Sequence, residues 1–507
     1  MKNIVVIVVD QLSFRALRAY GGPRAFPAID SLFERGTNFD RAYTPCPLCM
    51  PARAAFWSSS WPHRNGVLSN GRRFEQGEVP ASFPALGEIF SRAGWETVHF
   101  GKEHDAGALR GFTRVPAGQT PVEPEPGYPV NADTFRDVAT REQFVQFLDR
   151  RSASAGEDRP RAGRASAESE RPLLAVVDLN NPHNICGWVG EMARHVSGDA
   201  PFVKADPEPT AGFPPERPPT GLPALPPNFT DRDLATRPRS VRYVCCAHNR
   251  QAQTQEWDER HFRLYLDAYY HYTGLVDRQI GRIIDAVHRT LGVDDTLIVF
   301  FSDHGDSMIA HRGVTKHTTL YEETTRVPLL FAGPGITPGA RIQGPVSLLD
   351  LLPTLVDLAG IPNDGIATDG VSLAAALASG GAVTAGGATP ERSSGGQPPR
   401  CVASEWHTEW GFTIEPGRMI TEGRFKYMRY AEGGDEELYD LETDPYETRN
   451  LAPASPPELG TMRAALDDHM RATDDPFPRL EAVVDPRWRR HEPGVANHRG
   501  IAAPQSS

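Results

Sequence analysis

The chain has 507 residues, 39% of them hydrophobic, with 53 Lys and Arg against 65 Asp and Glu for a formal net charge of -12. A chain this long buries a substantial core and holds more than one structural unit. Its acidic balance argues against a nucleic-acid or anionic-membrane partner, because neutralising phosphates takes a basic face, and no apolar run approaches the roughly 20 residues of a membrane helix. An anionic small substrate stays open, since a few cations converging in a pocket outweigh a diffuse surface charge.

Strand-length apolar runs fall at residues 4–9, 97–100, 173–179, 297–301 and 328–332, all rich in Val, Ile, Leu and Phe. Near-continuous runs of this kind suit strands buried on both faces of a mostly parallel sheet. Between them lie helical patterns, the clearest over residues 262–291, where Leu264, Tyr269, Leu275, Ile280, Ile284 and Val287 recur at helical spacing. The alternation predicts an α/β fold, a three-layer α/β/α sandwich, with sites beyond the carboxyl ends of the strands.

Two inserts interrupt the pattern: residues 152–170, rich in Ala, Ser, Arg and Glu, and the proline-studded residues 201–227. Both are expected to lack regular structure. Residues 380–400 form a Gly, Ala, Pro and Ser tract that reads as a linker or loop. The predicted organisation is a catalytic α/β domain over 1–379, the linker, a C-terminal unit over 401–487 and a tail over 488–507. Within the C-terminal unit, alternation at 401–406, 419–421, 425–430 and 437–439 predicts a small antiparallel sheet, followed by a packed helix over 457–473.

Six cysteines, at 46, 49, 186, 245, 246 and 401, do not make a disulfide framework in a chain of this length and suggest a reducing compartment. Met1-Lys2-Asn3 leads straight into the first apolar run with no small-residue cleavage site, which fits a cytoplasmic protein. Cys46 and Cys49 have the spacing of a redox pair or half a zinc site. No second pair with ligand spacing supports that.

Several polar groups stand at strand ends. Asp10 follows the first run, Gly101-Lys102-Glu103-His104 the second, Asn181-Pro182-His183 the third, and Asp303-His304 the fourth, with Lys316-His317 further on. Each alone has a bland reading as a strand end or solvated loop. Two carboxylates with a histidine and an oxygen from residue 49 would make an oxygen-rich divalent site at one sheet edge.

Together with Cys49-Met50-Pro51-Ala52-Arg53, these groups resemble, in order, the type I sulfatases of the alkaline phosphatase superfamily. Later stretches such as Leu348-Leu349-Asp350-Leu351-Leu352-Pro353 and Leu438-Tyr439-Asp440-Leu441 extend the resemblance over most of the chain. In that family the cysteine is oxidised to formylglycine by a separate generating enzyme, and the hydrated aldehyde is the nucleophile. The resemblance implies a sulfatase that hydrolyses a small-molecule or carbohydrate sulfate monoester. Its metal ligands would be Asp10, Cys49, Asp303 and His304, around one divalent ion, Ca2+ ahead of Mn2+. Lys102, Lys316 and His183 would bind sulfate. Cys49, Arg53, His104 and His183 would be catalytic, Arg53 holding the hydrate, His183 or Lys316 protonating the leaving oxygen and His104 serving as base. Gln11, His311 and His317 are further candidates, and an oligomer stays open.

Many members place a second acid after the first. Here Gln11 stands there, and the pairs Asp10-Gln11 and Asp303-His304 look more like the choline sulfatase and phosphonate monoester hydrolase branches. A phosphonate monoester or phosphodiester hydrolase is therefore the alternative, since sulfate and phosphate esters differ more by charge than by shape. A binding protein with unconverted Cys49 comes third, because such a protein has no need of the full set.

Overall fold

The computed structural model describes residues 2–70, 78–117, 136–156, 171–197, 221–229, 237–238, 254, 256–316, 319–381, 383, 400–407, 416–431 and 435–477. The strands, in chain order, are Asn3–Val9 (β1), Thr37–Phe39 (β2), Ala42–Tyr43 (β3), Glu96–Gly101 (β4), Thr113–Pro116 (β5), Leu173–Leu179 (β6), Thr296–Ser302 (β7), Arg326–Val327 (β8), Leu329–Ala332 (β9), Arg341–Ile342 (β10), Val346–Ser347 (β11), Val402–Trp406 (β12), Gly417–Thr421 (β13), Phe425–Tyr430 (β14) and Glu436–Asp440 (β15).

The eight-stranded central sheet has the order β10-β2-β9-β7-β1-β6-β4-β5. From β7 to β5 every pairing is parallel, and β9 joins β7 and β2 antiparallel. Successive residues of a strand face opposite sides, and the central strands use both. Val5, Ile7 and Val9 pack into one core with the helices Pro27–Arg35, Arg136–Gly156, Ile185–Ser197 and Glu259–Thr290, while Ile4, Val6 and Val8 pack into a second with the helices Cys49–Ser58, Leu86–Arg92 and Leu351–Leu358. Each such fully buried side chain stabilises the fold by about 1.5–3 kcal/mol. The result is the expected three-layer sandwich.

The C-terminal residues add a four-stranded antiparallel sheet, β12-β13-β14-β15, with the helix Pro457–Thr473 on one face. Its other face packs on Tyr43, Cys46 and Leu48, just ahead of Cys49. Backbone bonds tighten this junction, since the Glu405 N–H donates to the Pro45 carbonyl at 2.8 Å.

Some boundaries differ from the sequence reading. The long helix begins at Glu259, ahead of the apolar repeat, because Asp258 caps it: its carboxylate accepts from the His261 N–H at 3.1 Å while His261 Nδ1 accepts from the Asp258 N–H at 3.1 Å. The run expected at 328–332 forms a strand one residue later, because Pro328 lacks an N–H and separates it from a second short strand just ahead. Arg326–Val327 joins the small sheet β11-β3-β8 and Leu329–Ala332 the central one.

Residues 152–156, expected to be irregular, continue the helix Arg136–Gly156. Residues 157–170, 198–220 and 384–399, and the tail from 478 on, lie outside the described residues, as do Cys245 and Cys246. Cys46, Cys49 and Cys401 are free thiols, and the Cys186 thiol donates to Gln11 Oε1 at 3.6 Å. Among the described residues no helix is long and apolar enough to cross a membrane.

Candidate active site

β1 lies between β6 and β7 with Val9 opposite both Leu179 and Ser302. The chain therefore leaves all three strands at one level, and Asp10, the turn from Asn180 to His183, and Asp303 with His304 reach one crevice. On the next strand Gly101 pairs with Asp178, which sets Lys102 and His104 at the same edge. Two glycines make these close approaches feasible. A Cβ at Gly101, whose φ is 98°, would fall 2.1 Å from the Asp178 carbonyl oxygen, and one at Gly305 would fall 1.9 Å from that of Glu323.

Cys49 opens the helix Cys49–Ser58, and Leu48 before it offers no capping side chain. A helix N-terminus carries partial positive charge and favours an anionic group at this place. Arg53 follows one turn later on the same face. The sulfur is crowded: Lys316 Nζ donates to it at 2.8 Å, His304 Nε2 lies 3.1 Å away and Asp10 Oδ1 3.8 Å away. His104 and His183 also stand close enough to this side chain to influence its charge.

Beneath it, Arg53 Nε donates to Asp303 Oδ2 at 3.0 Å, Nη1 bonds Asp178, and Nη2 lies 3.6 Å from Asp10 Oδ2. Lys102 pairs with Asp10. All these carboxylates and the guanidinium are buried.

Burial opposes ionisation of Cys49, yet Lys316, Lys102 and His304 outweigh it and hold the thiol well below its usual range. Burial and Cys49 push the Asp10 carboxyl up, but Lys102, His183 and Lys316 prevail and hold it low. Asp303 goes the other way, raised by burial and by Asp10, as happens when two carboxylates share a site. Burial disfavours charge on Lys316 too, but Cys49 and Asp10 keep it firmly protonated.

Ligand atoms of Asp10, Cys49, Asp303 and His304 all lie within 4.8 Å of one another. His304 Nδ1 is engaged with the Gly305 carbonyl at 2.9 Å, which leaves Nε2 facing the cluster. Two carboxylates, an imidazole and residue 49 are a donor set that suits a divalent cation. The residues expected to hold a metal thus come together, and they fit one.

The remaining candidates divide. Gln11 touches the site through its backbone, its N–H donating to Asp303 Oδ1 at 3.0 Å, while its side-chain Nε2 is taken by Asp306 at 2.7 Å. His311 is buried with its ring 4.5 Å from that of Tyr321, and among the described residues no group hydrogen-bonds either ring nitrogen. His317 lies outside the described residues.

Sequence reading overlooked Asp178, which sits inside the apolar run Leu173–Leu179 and anchors Arg53. An acid in a strand buried on both faces was the available signal. It also overlooked Asp306, which receives Gln11 and the Tyr265 hydroxyl, the latter at 2.8 Å.

The sulfatase family model matches residues 2–361. The chain belongs to the sulfatase family. It is 39% identical to a delta 4,5-hexuronate-2-O-sulfatase of Bacteroides thetaiotaomicron over 99% of this chain and 95% of that one. It is 32% identical to a choline-sulfatase of Rhizobium meliloti over 95% of this chain and 88% of that one. A solved 2-O GAG sulfatase superposes with a TM-score of 0.80 at 38% identity, covering 98% of each chain. This sulfatase is a sulfuric ester hydrolase, releasing inorganic sulfate and an alcohol, in a family whose general mechanism uses formylglycine and a divalent metal.

Proposed function

We propose that the chain removes sulfate from a sulfated uronic-acid carbohydrate, with Cys49 as the formylglycine precursor. The observation that carries the catalytic part is the convergence of Lys316, His304, His104 and His183 on the side chain of Cys49 at a buried helix N-terminus. The substrate class rests on the 39% identity to the hexuronate sulfatase over nearly the whole chain.

The formylglycine hydrate supplies a geminal diol, one hydroxyl to attack sulfur and a second whose deprotonation frees the sulfate. Asp10, Asp303 and His304, with residue 49, would hold the metal, calcium ahead of manganese. A divalent cation there supplies charge that favours an ionised hydroxyl and offsets the sulfuryl oxygens. Lys102 and Lys316 bind those oxygens as fixed cations. Arg53 stays charged between three acids and orients residue 49. As the S–O bond breaks, charge gathers on the bridging oxygen, and His183 or Lys316 delivers the proton it needs. His104, beside residue 49, takes the proton from its hydroxyl.

Mass spectrometry of the tryptic peptide spanning residues 42–53, from protein expressed beside a maturation enzyme, tests the nucleophile. Residue 49 is expected about 18 Da lighter than cysteine, and a wholly unmodified thiol in active enzyme would overturn the assignment. Assays on an unsaturated 2-sulfated uronide disaccharide, choline sulfate and an aryl phosphonate ester test the substrate. Higher kcat/KM on either of the last two would replace the uronide.

A further inference from the structure

We propose that Asp137 is a positioning residue for His183, holding through its carboxylate the turn that presents the imidazole to residue 49. The inference rests on the reading of His183 as a group that touches the reacting ester.

Asp137 lies in the first turn of the helix Arg136–Gly156, and its side chain is buried. Its Oδ1 accepts from the Asn180 N–H at 2.5 Å, and its Oδ2 accepts from the Asn181 N–H at 3.1 Å and from Asn181 Nδ2 at 2.7 Å. One carboxylate thus gathers three donors from two successive residues, immediately ahead of Pro182 and His183. The His183 N–H in turn donates to the Asn180 carbonyl at 3.0 Å, so His183 hangs from the residue that Asp137 grips.

The same segment carries other parts of the site. The Leu179 carbonyl accepts from the Asp10 N–H at 3.0 Å, and the Asp178 carbonyl from the Lys102 N–H at 3.3 Å. Those bonds fix the strand ends before the turn. The Asp137 carboxylate fixes the turn itself, from the helix layer behind the sheet.

Burial opposes its charge and pushes the carboxyl up to about 6 despite the three donors. A buried acid of this kind is costly to keep for stability alone. Its removal would free two backbone N–H groups and let the turn relax. A shift of about 1 Å in a catalytic side chain costs on the order of 100-fold in rate, and losing the support behind a site residue costs about 10–100-fold.

A double-mutant cycle on the mature enzyme tests the assignment, with kcat and KM measured for a sulfated disaccharide. Asp137→Ala is expected to lower kcat by about 10–100-fold with KM changed less than about threefold, and adding it to His183→Ala is expected to cost nothing more. Losses that multiply in the double variant would overturn the proposal, as would a fall in thermal midpoint with kcat intact. If His183→Ala alone retained full kcat, the role given to His183 would fail, and Asp137 would have nothing to position. Should Asp137→Ala not fold, Asp137→Asn keeps the volume and one acceptor oxygen. It is expected to show a smaller loss with the same non-additivity, and a multiplicative loss would again overturn the idea.

Discussion

Arg53 stands one helical turn after Cys49, and from that place its guanidinium reaches Asp10, Asp178 and Asp303. One helix face therefore carries both the proposed nucleophile and the cation that ties three strand ends beneath it. The geometry uses the planar fork of arginine, with a different nitrogen aimed at each acid.

Arg53→Lys is expected to fail on both counts. A single ammonium does not span three carboxylates, and a buried charge left without its partner costs about 3–5 kcal/mol. Thermal unfolding should show a clear drop in midpoint, with kcat/KM falling at least about 100-fold. A variant with unchanged melting and activity would contradict this account of the site.

Cys49→Ala removes only a small side chain at a helix start. Its circular dichroism spectrum should match the parent, while sulfate-ester hydrolysis falls by at least about 1,000-fold. Substantial turnover by the alanine protein would move the nucleophile elsewhere.

Lys316→Ala should weaken anion binding. A hydrogen bond to a charged group contributes about 1.5–3 kcal/mol, so the inhibition constant of inorganic sulfate is expected to rise about 10–100-fold. Equal inhibition of parent and variant would place Lys316 outside the anion site.

Chelation followed by dialysis should abolish activity, and titration with Ca2+ or Mn2+ should restore it, the more effective ion naming the metal. At 100 times its dissociation constant the ion adds about 2.7 kcal/mol of stability, visible as a raised thermal midpoint. In Asp303→Ala the midpoint should no longer respond to the ion.

A separate prediction concerns stability and pH. Lys426 Nζ lies 3.1 Å from Glu322 Oε1 and 3.0 Å from Glu447 Oε1, one cation between two buried acids. Burial opposes ionisation of Glu322, but Lys426 prevails and holds it low. Glu447, against the pull of Lys426, is raised from 4.5 to about 8 by burial and by Glu322. A carboxyl raised on folding binds more protons in the folded state. Its contribution is full below pH 4.5 and is lost as pH climbs to about 8. Glu447→Gln should flatten the fall in melting temperature over that window, and a parallel curve for parent and variant would refute the assignment.

The strands that carry the site were legible because each is a short apolar run ending in a polar residue, and Asp10, His183 and Asp303 mark those ends. Cys49, Lys102 and Lys316 were legible through motif order, since no periodicity brings residues 49 and 316 together. Asp178 was hidden by its own surroundings: inside Leu173–Leu179 it interrupts an apolar strand without breaking it. Asp137 was hidden for a different reason: it is the acid in the first turn of its helix, an ordinary place for one, and nothing local ties it to the turn at residues 180–183. Short strands such as Ala42–Tyr43 carry too few residues for any alternation to register.

Cys49 is 1% exposed in the folded protein, with two lysines and three histidines pressed toward it. On the reading of that thiol as a formylglycine precursor, a converting enzyme has access to it only while the chain is still unfolded. Folding then ends the opportunity, and molecules that fold first stay inert. The specific activity of a preparation would record the outcome of a race between oxidation and folding, and slowing synthesis would raise it without altering a single residue.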